Sequence, residues 1–360
     1  MKEEDLITKK PHKFRSSKRK MDSYTAIDLF AGCGGLTYGL KQAKFQVIAA
    51  LELDAVAASA YKLNHPKTSL KEADIRSVNG KKWMKELALQ PGELDLLAGC
   101  PPCQGFSRLR TMNGVYSNRD DRNRLLLEMA RLVKEFKPKA VMMENVPDLE
   151  GKSVFKEFVQ VLKRNGYMPS WDVHDVQHYG VPQRRKRLVL VAGRGFSIPF
   201  CSMARTVKTV RSAIGNLKPA GSSGDPLHDF PEYRTQRMKD WIALIPKNGG
   251  SRLDLPLKMQ RPCHRRSDGF KDVYGRMAWD EVAPTITGGC FNPSKGRFLH
   301  PEANRNITIR EAALLQTFPR SFRLPNGFTK TNAALMIGNA LPPEFVKRQA
   351  VAIRKAIVNK

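Results

Sequence analysis

Between residues 24 and 193 the chain repeatedly alternates short apolar runs, rich in β-branched residues, with longer stretches of helical periodicity. This alternation predicts a doubly wound α/β sheet, because strands that alternate with helices build a sheet with helices packed on both faces. The predicted strands are 25–30, 46–51, 94–98, 140–143 and 187–192, and the predicted helices include 122–136, 154–165, 307–317 and 343–358.

The rest of the chain differs in character from this predicted sheet. Residues 195–275 are rich in proline, glycine and basic side chains and have weak periodicity, which indicates a separate, small, loop-rich domain. We expect residues 276–360 to return to the larger domain, whose first part spans 23–194. Residues 1–22 are basic with almost no apolar content, so they are expected to form a flexible tail. This tail either adds attraction to phosphates or is an inert solvated extension.

The net charge indicates the kind of partner. The 62 lysines and arginines exceed the 34 acidic residues, which gives a formal net charge of +28 and a pI of about 10.1. Uncompensated like charge destabilises a compact state, so a polyanionic partner is expected. There is no apolar run of about 18 residues and no apolar core of a secretory signal in the sequence. Nucleic acid is therefore favoured over a membrane, and the protein is expected to stay inside the cell.

The six cysteines are scattered along the chain, which indicates reduced thiols rather than a disulfide framework. Cys100 and Cys103 form a C-x-x-C pair, a spacing found in zinc sites and in redox sites. A structural zinc site usually needs a second close pair of ligands, and the other four cysteines do not supply one. We therefore expect no metal.

A glycine-rich turn follows the first predicted strand. Gly32, Gly34 and Gly35 allow tight backbone geometry and the close approach of a ligand. Glu52 lies about twenty residues later, where an acid accepts hydrogen bonds from ribose hydroxyls in this class of fold. Together these residues indicate an adenosine-containing cofactor. The glycine spacing departs from G-x-G-x-x-G, which disfavours a dinucleotide, whereas the carboxylate of S-adenosylmethionine (SAM) could use the free N–H groups of the turn. Asp74 either accepts from the adenine amino group or is a solvated loop acid.

Candidate reactive side chains lie at the ends of later strands. Cys103 follows strand 94–98 in a proline-rich loop, at the sheet edge where open α/β folds place their chemistry, and is the candidate nucleophile. Cys100 is expected to pack at the strand end. Glu144 ends an apolar strand, where burial disfavours the charged form, so it is either the general acid or a structural carboxylate. Arg185 and Arg187 lie two apart in extended chain and are predicted to face one common site.

Six motifs in this order resemble those of the C5-cytosine DNA methyltransferase family in its bacterial form. The resemblance covers nearly the whole chain after the tail, and it implies a SAM-dependent methyltransferase sheet with a target-recognition domain at 195–275 and double-stranded DNA as substrate. The motifs are Asp28-Leu-Phe-Ala-Gly-Cys-Gly-Gly35, Pro101-Pro-Cys-Gln-Gly-Phe-Ser107, Glu144-Asn-Val146, Gln183-Arg-Arg-Lys-Arg187, Arg310-Glu-Ala-Ala-Leu-Leu-Gln-Thr-Phe-Pro319 and Gly338-Asn-Ala-Leu-Pro-Pro343.

The resemblance also implies roles for individual residues. Cys103 would attack carbon 6 of a cytosine rotated out of the duplex, while Glu144 contacts ring N3. Arg187 and Arg185 would hold the base O2 while carbon 5 takes the methyl group. The implied DNA contacts are Gln104, Ser107 and Gln183. The implied cofactor contacts are Phe30, Ala31, Gly32, Gly34, Gly35, Leu36, Glu52, Leu53, Asp74, Ile75, Pro101, Asn339 and Ala340.

Two alternative functions stay open at this point. A transfer RNA cytosine-5 methyltransferase would have nearly the same catalytic motifs, but it usually carries Cys-Phe-Thr where this chain has Phe200-Cys-Ser-Met203. A catalytically silent DNA-binding module on the same scaffold would typically lose the nucleophile, which this chain retains. With the DNA enzyme favoured, we expect a monomer in the bacterial cytoplasm, associated with the nucleoid, and a restriction endonuclease as its companion.

Overall fold

The computed structural model describes residues 24–102, 124–260 and 271–360. Within these ranges seven strands form one sheet with the order β3-β2-β1-β4-β5-β7-β6. Neighbouring strands are parallel except around β7, which runs antiparallel to both β5 and β6. The strands are β1 (Tyr24–Leu29), β2 (Phe45–Glu52), β3 (Ser69–Glu72), β4 (Leu96–Gly99), β5 (Ala140–Asn145), β6 (Tyr167–Asp175) and β7 (Lys186–Arg194).

Helices cover both faces of this sheet. Side chains alternate across β1, so that Ile27 and Leu29 join the core beneath α3, α4 and α5, while Ala26 joins the core beneath α1 and α10. The helices of the described ranges are α1 (Gly35–Gln42), α2 (Ala55–Asn64), α3 (Gly80–Glu86), α4 (Leu125–Phe136), α5 (Ser153–Arg164), α6 (Val210–Ile214), α7 (Gln236–Ala243), α8 (Ile309–Leu315), α9 (Lys330–Asn339) and α10 (Pro343–Val358).

The last helix packs directly against the first. A β-carbon at Gly39 of α1 would lie 2.4 Å from the β-carbon of Val346 on α10, so the two helices approach more closely than side chains would allow. Because α1 begins at the turn after β1, this contact places the end of the chain beside the beginning of the sheet.

The region after β7 lies in two further clusters, the first of which also contains Cys33 and Ala60 from near the start of the chain. One cluster joins α6, α8 and α9, and a smaller one contains Ile242, Ile245, Leu255, Tyr274 and Leu299. Between the loops of the smaller cluster lies Arg276, which is fully buried and donates hydrogen bonds to carbonyl oxygens, including those of Ile242, Ile245 and Ala303. A loop-rich unit with few strands is thus held by one satisfied guanidinium as well as by apolar contacts.

The predicted doubly wound α/β class is confirmed. The five predicted strands lie within two residues of the observed ones at each end, and the helix predicted at 343–358 has those bounds. The pattern missed β6, because this strand is at the edge of the sheet and alternates buried with exposed residues, with Pro169 and several polar side chains among them. It also missed α9 and gave no bounds for the short edge strand β3.

Candidate active site

The turn after β1 has left-handed backbone conformations at Phe30, Gly32 and Gly34, with φ values of 58°, 53° and 92°. A β-carbon at Gly34 would lie 2.2 Å from His65 Nε2, so only glycine fits at this position. At Gly32 a β-carbon would meet nothing within 4 Å, so the space beside that residue is open. The turn therefore presents bare backbone to an open volume, with the half-buried Phe30 at its start.

His65 packs against this turn and was not among the residues predicted for the site. Its Nδ1 lies 3.3 Å from Lys41 Nζ, and its Nε2 lies 3.2 Å from the Gly34 carbonyl oxygen. An ammonium group only donates, so Nδ1 accepts and Nε2–H donates to Gly34. Burial, with Lys41 nearby, lowers the pKa of His65 to about 3, which keeps the ring neutral. A lone histidine just after a helix carries no distinguishing signal in a single sequence.

Glu52 lies against the same turn, at the end of β2. One carboxylate oxygen accepts from Gly32 N at 2.7 Å, and the other accepts from Leu53 N at 2.9 Å and from Asp54 N at 2.8 Å. The carboxylate thereby joins the glycine turn to the loop before α2. The side chain of Leu53 is 65% exposed beside it.

Asp74 follows β3 and caps a short 3-10 helix. It accepts from Arg76 N at 2.9 Å and from the Arg76 guanidinium, whose Nη2 lies 2.6 Å from Oδ2. These bonds to the Arg76 side chain and backbone lower the pKa of Asp74. Ile75 is buried. The adenine contact predicted for Asp74 would share its oxygens with Arg76.

Asp28 is buried within β1, on the face toward α1. Thr37 Oγ1 donates to its Oδ2 at 2.7 Å, and among the described residues its Oδ1 has no hydrogen-bond partner. Burial raises the pKa of Asp28 to about 7. A carboxyl group with this pKa changes charge in the physiological pH range.

An ion pair lies at the carboxyl end of β5. Glu144, 6% exposed, has its Oε1 2.8 Å from Arg187 Nε on the neighbouring strand β7. The Cys100 thiol also hydrogen-bonds Glu144, and burial raises the pKa of that thiol well above its usual value. Cys100 is therefore a protonated thiol at a strand end, as its predicted packing role requires.

The same edge holds the described residues that lead to Cys103. Asn145 Nδ2 donates to the Pro101 carbonyl oxygen at 3.0 Å, which ties β5 to the segment after β4. Cys103 follows Pro101 by two residues and lies outside the described residues, as do Gln104 and Ser107. The structure thus brings the segment that leads to Cys103 close to the Glu144–Arg187 pair.

Arg185 and Gln183 are placed differently from the prediction. Arg185 is 2% exposed and donates to the carbonyl oxygens of Ile286 and Gly338, whereas Arg187 forms the ion pair with Glu144. Gln183 is fully buried, and its amide bonds Ile286 N and Gln316. These contacts give Gln183 a structural role in place of the DNA contact that the sequence predicts.

The end of α9 completes the surroundings of the glycine turn. A β-carbon at Gly35 would lie 3.0 Å from the β-carbon of Ala340, so the two backbones approach closely there. Asn339 ends α9 and is exposed, while Leu36 in the first turn of α1 is buried. The predicted cofactor residues from the two ends of the chain therefore meet at one turn.

No group of three or more histidine, cysteine or acidic side chains in the described ranges is arranged to hold a metal ion. In the same ranges, Cys33, Cys100, Cys201 and Cys290 are free thiols. None of the described helices combines the length and the apolar character needed to cross a membrane.

Comparison with known proteins identifies this arrangement. The family model of the C-5 cytosine-specific DNA methylases matches residues 24–355. The chain belongs to this family. The methylase is 38% identical to the Type II methylase M.HgiDII of Herpetosiphon aurantiacus over 91% of this chain and 94% of that protein. It is 32% identical to the Type II methyltransferase M1.BsuMI of Bacillus subtilis over 90% of this chain and 79% of that protein.

A solved DNA methyltransferase structure has a similar fold. A crystal structure from E. coli, described as a DNA modification methyltransferase encoded within a prophage, matches the methylase with a TM-score of 0.72 and 21% identity. The match covers 94% of this chain and all of that one. The methylase is thus a DNA cytosine-5 methyltransferase of a SAM-dependent family, with the sheet of that family.

Proposed function

We propose that this methylase transfers a methyl group to carbon 5 of a cytosine rotated out of duplex DNA, through a covalent bond between Cys103 and carbon 6. The observation that carries this proposal is the buried Glu144–Arg187 pair, which lies where the loop leading to Cys103 leaves the sheet. A carboxyl group and a guanidinium side by side match the N3 and O2 edge of cytosine, which needs one donor or proton at N3 and one donor at O2.

SAM fits the turn on the other side of β4. The open space beside Gly32 leaves room for a ligand, and Glu52 offers its carboxylate to ribose hydroxyls next to the turn. The N-cap residue Gly34 has no side chain to occupy the first amides of α1, which leaves them for a carboxylate. Phe30 would pack against adenine, with Leu53, Ile75 and Asn339 around it. SAM supplies the electrophilic methyl group when it is bound.

Cys103, Glu144 and Arg187 each have a separate role in the reaction. The Cys103 thiolate forms the bond to carbon 6, and Glu144 places a proton or hydrogen bond at N3, which moves the electron pair to carbon 5. Arg187 holds the base O2 through guanidinium N–H groups while its Nε stays on Glu144. After carbon 5 has gained its methyl group, a base takes the carbon 5 proton, the carbon 5–carbon 6 double bond re-forms and the thiolate leaves. Extrusion of the base costs a few kcal/mol, which contacts in the pocket offset.

The domain boundaries follow the same proposal. Residues 23–194 and 276–360 would form the catalytic domain, 195–275 the target-recognition domain that reads base edges in the major groove, and 1–22 a basic tail. Support comes from the small cluster around Ile242 and Tyr274, which lies apart from the two cores of the sheet. That cluster also recruits Leu299 and is bridged by Arg276, so the catalytic part of the chain contributes to it.

DNA outside the target base would be held by charge. The net charge of +28 supplies many groups that can neutralise phosphates. M.HgiDII and M1.BsuMI are bacterial Type II enzymes, which supports a bacterial setting for this methylase. We also propose that it works as a monomer in the cytoplasm, at the nucleoid, beside a companion restriction endonuclease.

Bisulfite sequencing tests the function directly. DNA from cells that lack other cytosine methylation and express this chain should show protected cytosines in one short sequence context. The Cys103→Ser variant, expressed to the same level, should show none. Protection that persists in the variant would contradict the covalent route, and no protection with the unaltered chain would contradict the function. Duplex DNA and transfer RNA tested side by side with labelled SAM would exclude the RNA substrate.

A further inference from the structure

Arg185 hydrogen-bonds two backbone carbonyls, whereas its neighbour Arg187 pairs with Glu144. Arg185 Nη1 donates to the Ile286 carbonyl at 3.0 Å and its Nη2 to the Gly338 carbonyl at 2.8 Å. The two carbonyls lie 101 and 153 residues later in the chain. A buried guanidinium is costly unless it is hydrogen-bonded, so these two segments must stay in place around it.

Gln183, two residues earlier, holds the same two segments. Its Oε1 accepts from Ile286 N at 2.8 Å, so both the N–H and the C=O of Ile286 are held by this short stretch. Its Nε2 donates to Gln316 Oε1 at 2.9 Å, and Gln316 Nε2 donates to the Ile337 carbonyl at 2.7 Å. Arg185 and Gln316 therefore hydrogen-bond two adjacent carbonyls at the end of α9, those of Gly338 and Ile337.

The end of α9 also contacts the glycine turn. A β-carbon at Gly338 would lie 2.4 Å from the backbone of Thr287 and Gly288, so this segment has no freedom to shift toward them. Two residues later, Ala340 packs against Gly35 at the start of α1. A continuous set of contacts thus leads from Arg185 through Gly338 and Ala340 to the glycine turn.

We propose that Arg185 is a positioning residue that fixes the Gly338–Ala340 segment for cofactor binding, and that it does not contact the target base. The inference rests on the proposed function, because it assigns the glycine turn to SAM. Within the motif Gln183-Arg-Arg-Lys-Arg187, Gln183 and Arg185 would support the cofactor side of the site, and Arg187 would contact the base.

The matched pair of variants is Arg185→Lys and Arg187→Lys. Each keeps its positive charge and loses the planar fork. SAM affinity is measured by calorimetry on the full chain without DNA, where a ligand of the base can have no effect. Turnover is then measured at saturating SAM and saturating duplex DNA. Thermal unfolding of both variants reports any general loss of stability.

Arg185→Lys is expected to weaken SAM binding by about tenfold, the effect of losing one charge-assisted hydrogen bond, and to keep most of the turnover at saturating SAM. Arg187→Lys is expected to leave SAM affinity unchanged and to lower turnover. Unchanged SAM affinity in Arg185→Lys, together with reduced turnover, would overturn the proposal and return Arg185 to the base. Failure of the unaltered chain to bind SAM would instead contradict the proposed function.

A second measurement needs no variant of Arg185. Hydrogen exchange on the unaltered chain with and without SAM should show protection at Ile286 and across 337–341 as well as at the glycine turn. Gln316→Ala, which removes bonds to the same segment and no charge, should weaken SAM binding in the same direction. Protection confined to the glycine turn, with normal affinity in Gln316→Ala, would count against the coupling even if Arg185→Lys does not fold.

Discussion

Replacing Gly34 with alanine should destabilise the methylase through two separate effects. The residue has φ 92°, where an L side chain costs about 1–2 kcal/mol. Its new β-carbon would also lie 2.2 Å from His65 Nε2 and 3.2 Å from Tyr61 Cδ2, and overpacking of this kind costs about 1–3 kcal/mol. His65 is itself held by Lys41 and the Gly34 carbonyl, so it cannot rotate away freely. The expected total is about 2–5 kcal/mol.

Gly32→Ala is the matched control, because that residue is also left-handed, at φ 53°, but its β-carbon would meet open space. Its free energy of unfolding should fall only by the cost of a side chain on left-handed backbone, about 1–2 kcal/mol. Urea unfolding of both variants without SAM gives the two free energies of unfolding, provided that the slope with denaturant is unchanged.

A double-mutant cycle separates the clash from the strain. In a His65→Ala background the alanine at position 34 gains room, so the cost of Gly34→Ala should fall toward that of Gly32→Ala. The claim that His65 leaves no room for a β-carbon at position 34 would be refuted in either of two cases. The two single variants could lose the same free energy of unfolding, or positions 34 and 65 could show no coupling.

Further predictions concern catalysis, pH and salt. Cys103→Ser should reduce turnover below about one per cent while SAM and duplex binding stay near normal, and greater residual activity would argue against a covalent route. Glu144→Gln should lower turnover by about 10²–10⁴-fold, measured at saturating SAM and DNA, since an amide cannot deliver a proton to N3. Burial raises the pKa of Asp28 to about 7, so the folded state binds the extra proton and this group's contribution to stability falls as pH rises from about 4 to about 7. Asp28→Asn should therefore gain about 3 kcal/mol in free energy of unfolding relative to the unaltered chain between about pH 5 and about pH 8, measured by urea unfolding. A difference between the two proteins that stays constant with pH would contradict the buried charge change. Duplex affinity should fall steeply with salt, and a flat dependence in a binding titration would contradict the role given to the net charge.

The local pattern was sufficient for the elements that form the middle of the sheet. β1, β4 and β5 are mostly apolar and buried on both faces, so their sequences predict strands without any knowledge of neighbours. The edge strand β6 is half solvated and reads as loop. The glycine turn was also predictable, because glycine takes left-handed backbone far more readily than any other residue.

The sequence by itself determined the candidates for the chemistry, because the order of the motifs singled out Glu144, Arg187 and the glycine turn. Tertiary structure alone decided their partners. Strand periodicity places Arg185 and Arg187 on one side of an extended chain, but it cannot state that one meets a carboxylate and the other meets two carbonyls more than a hundred residues away. Hydrogen bonds of a buried charge are chosen by whatever the fold brings within about 3 Å, and that is a property of packing, not of local sequence.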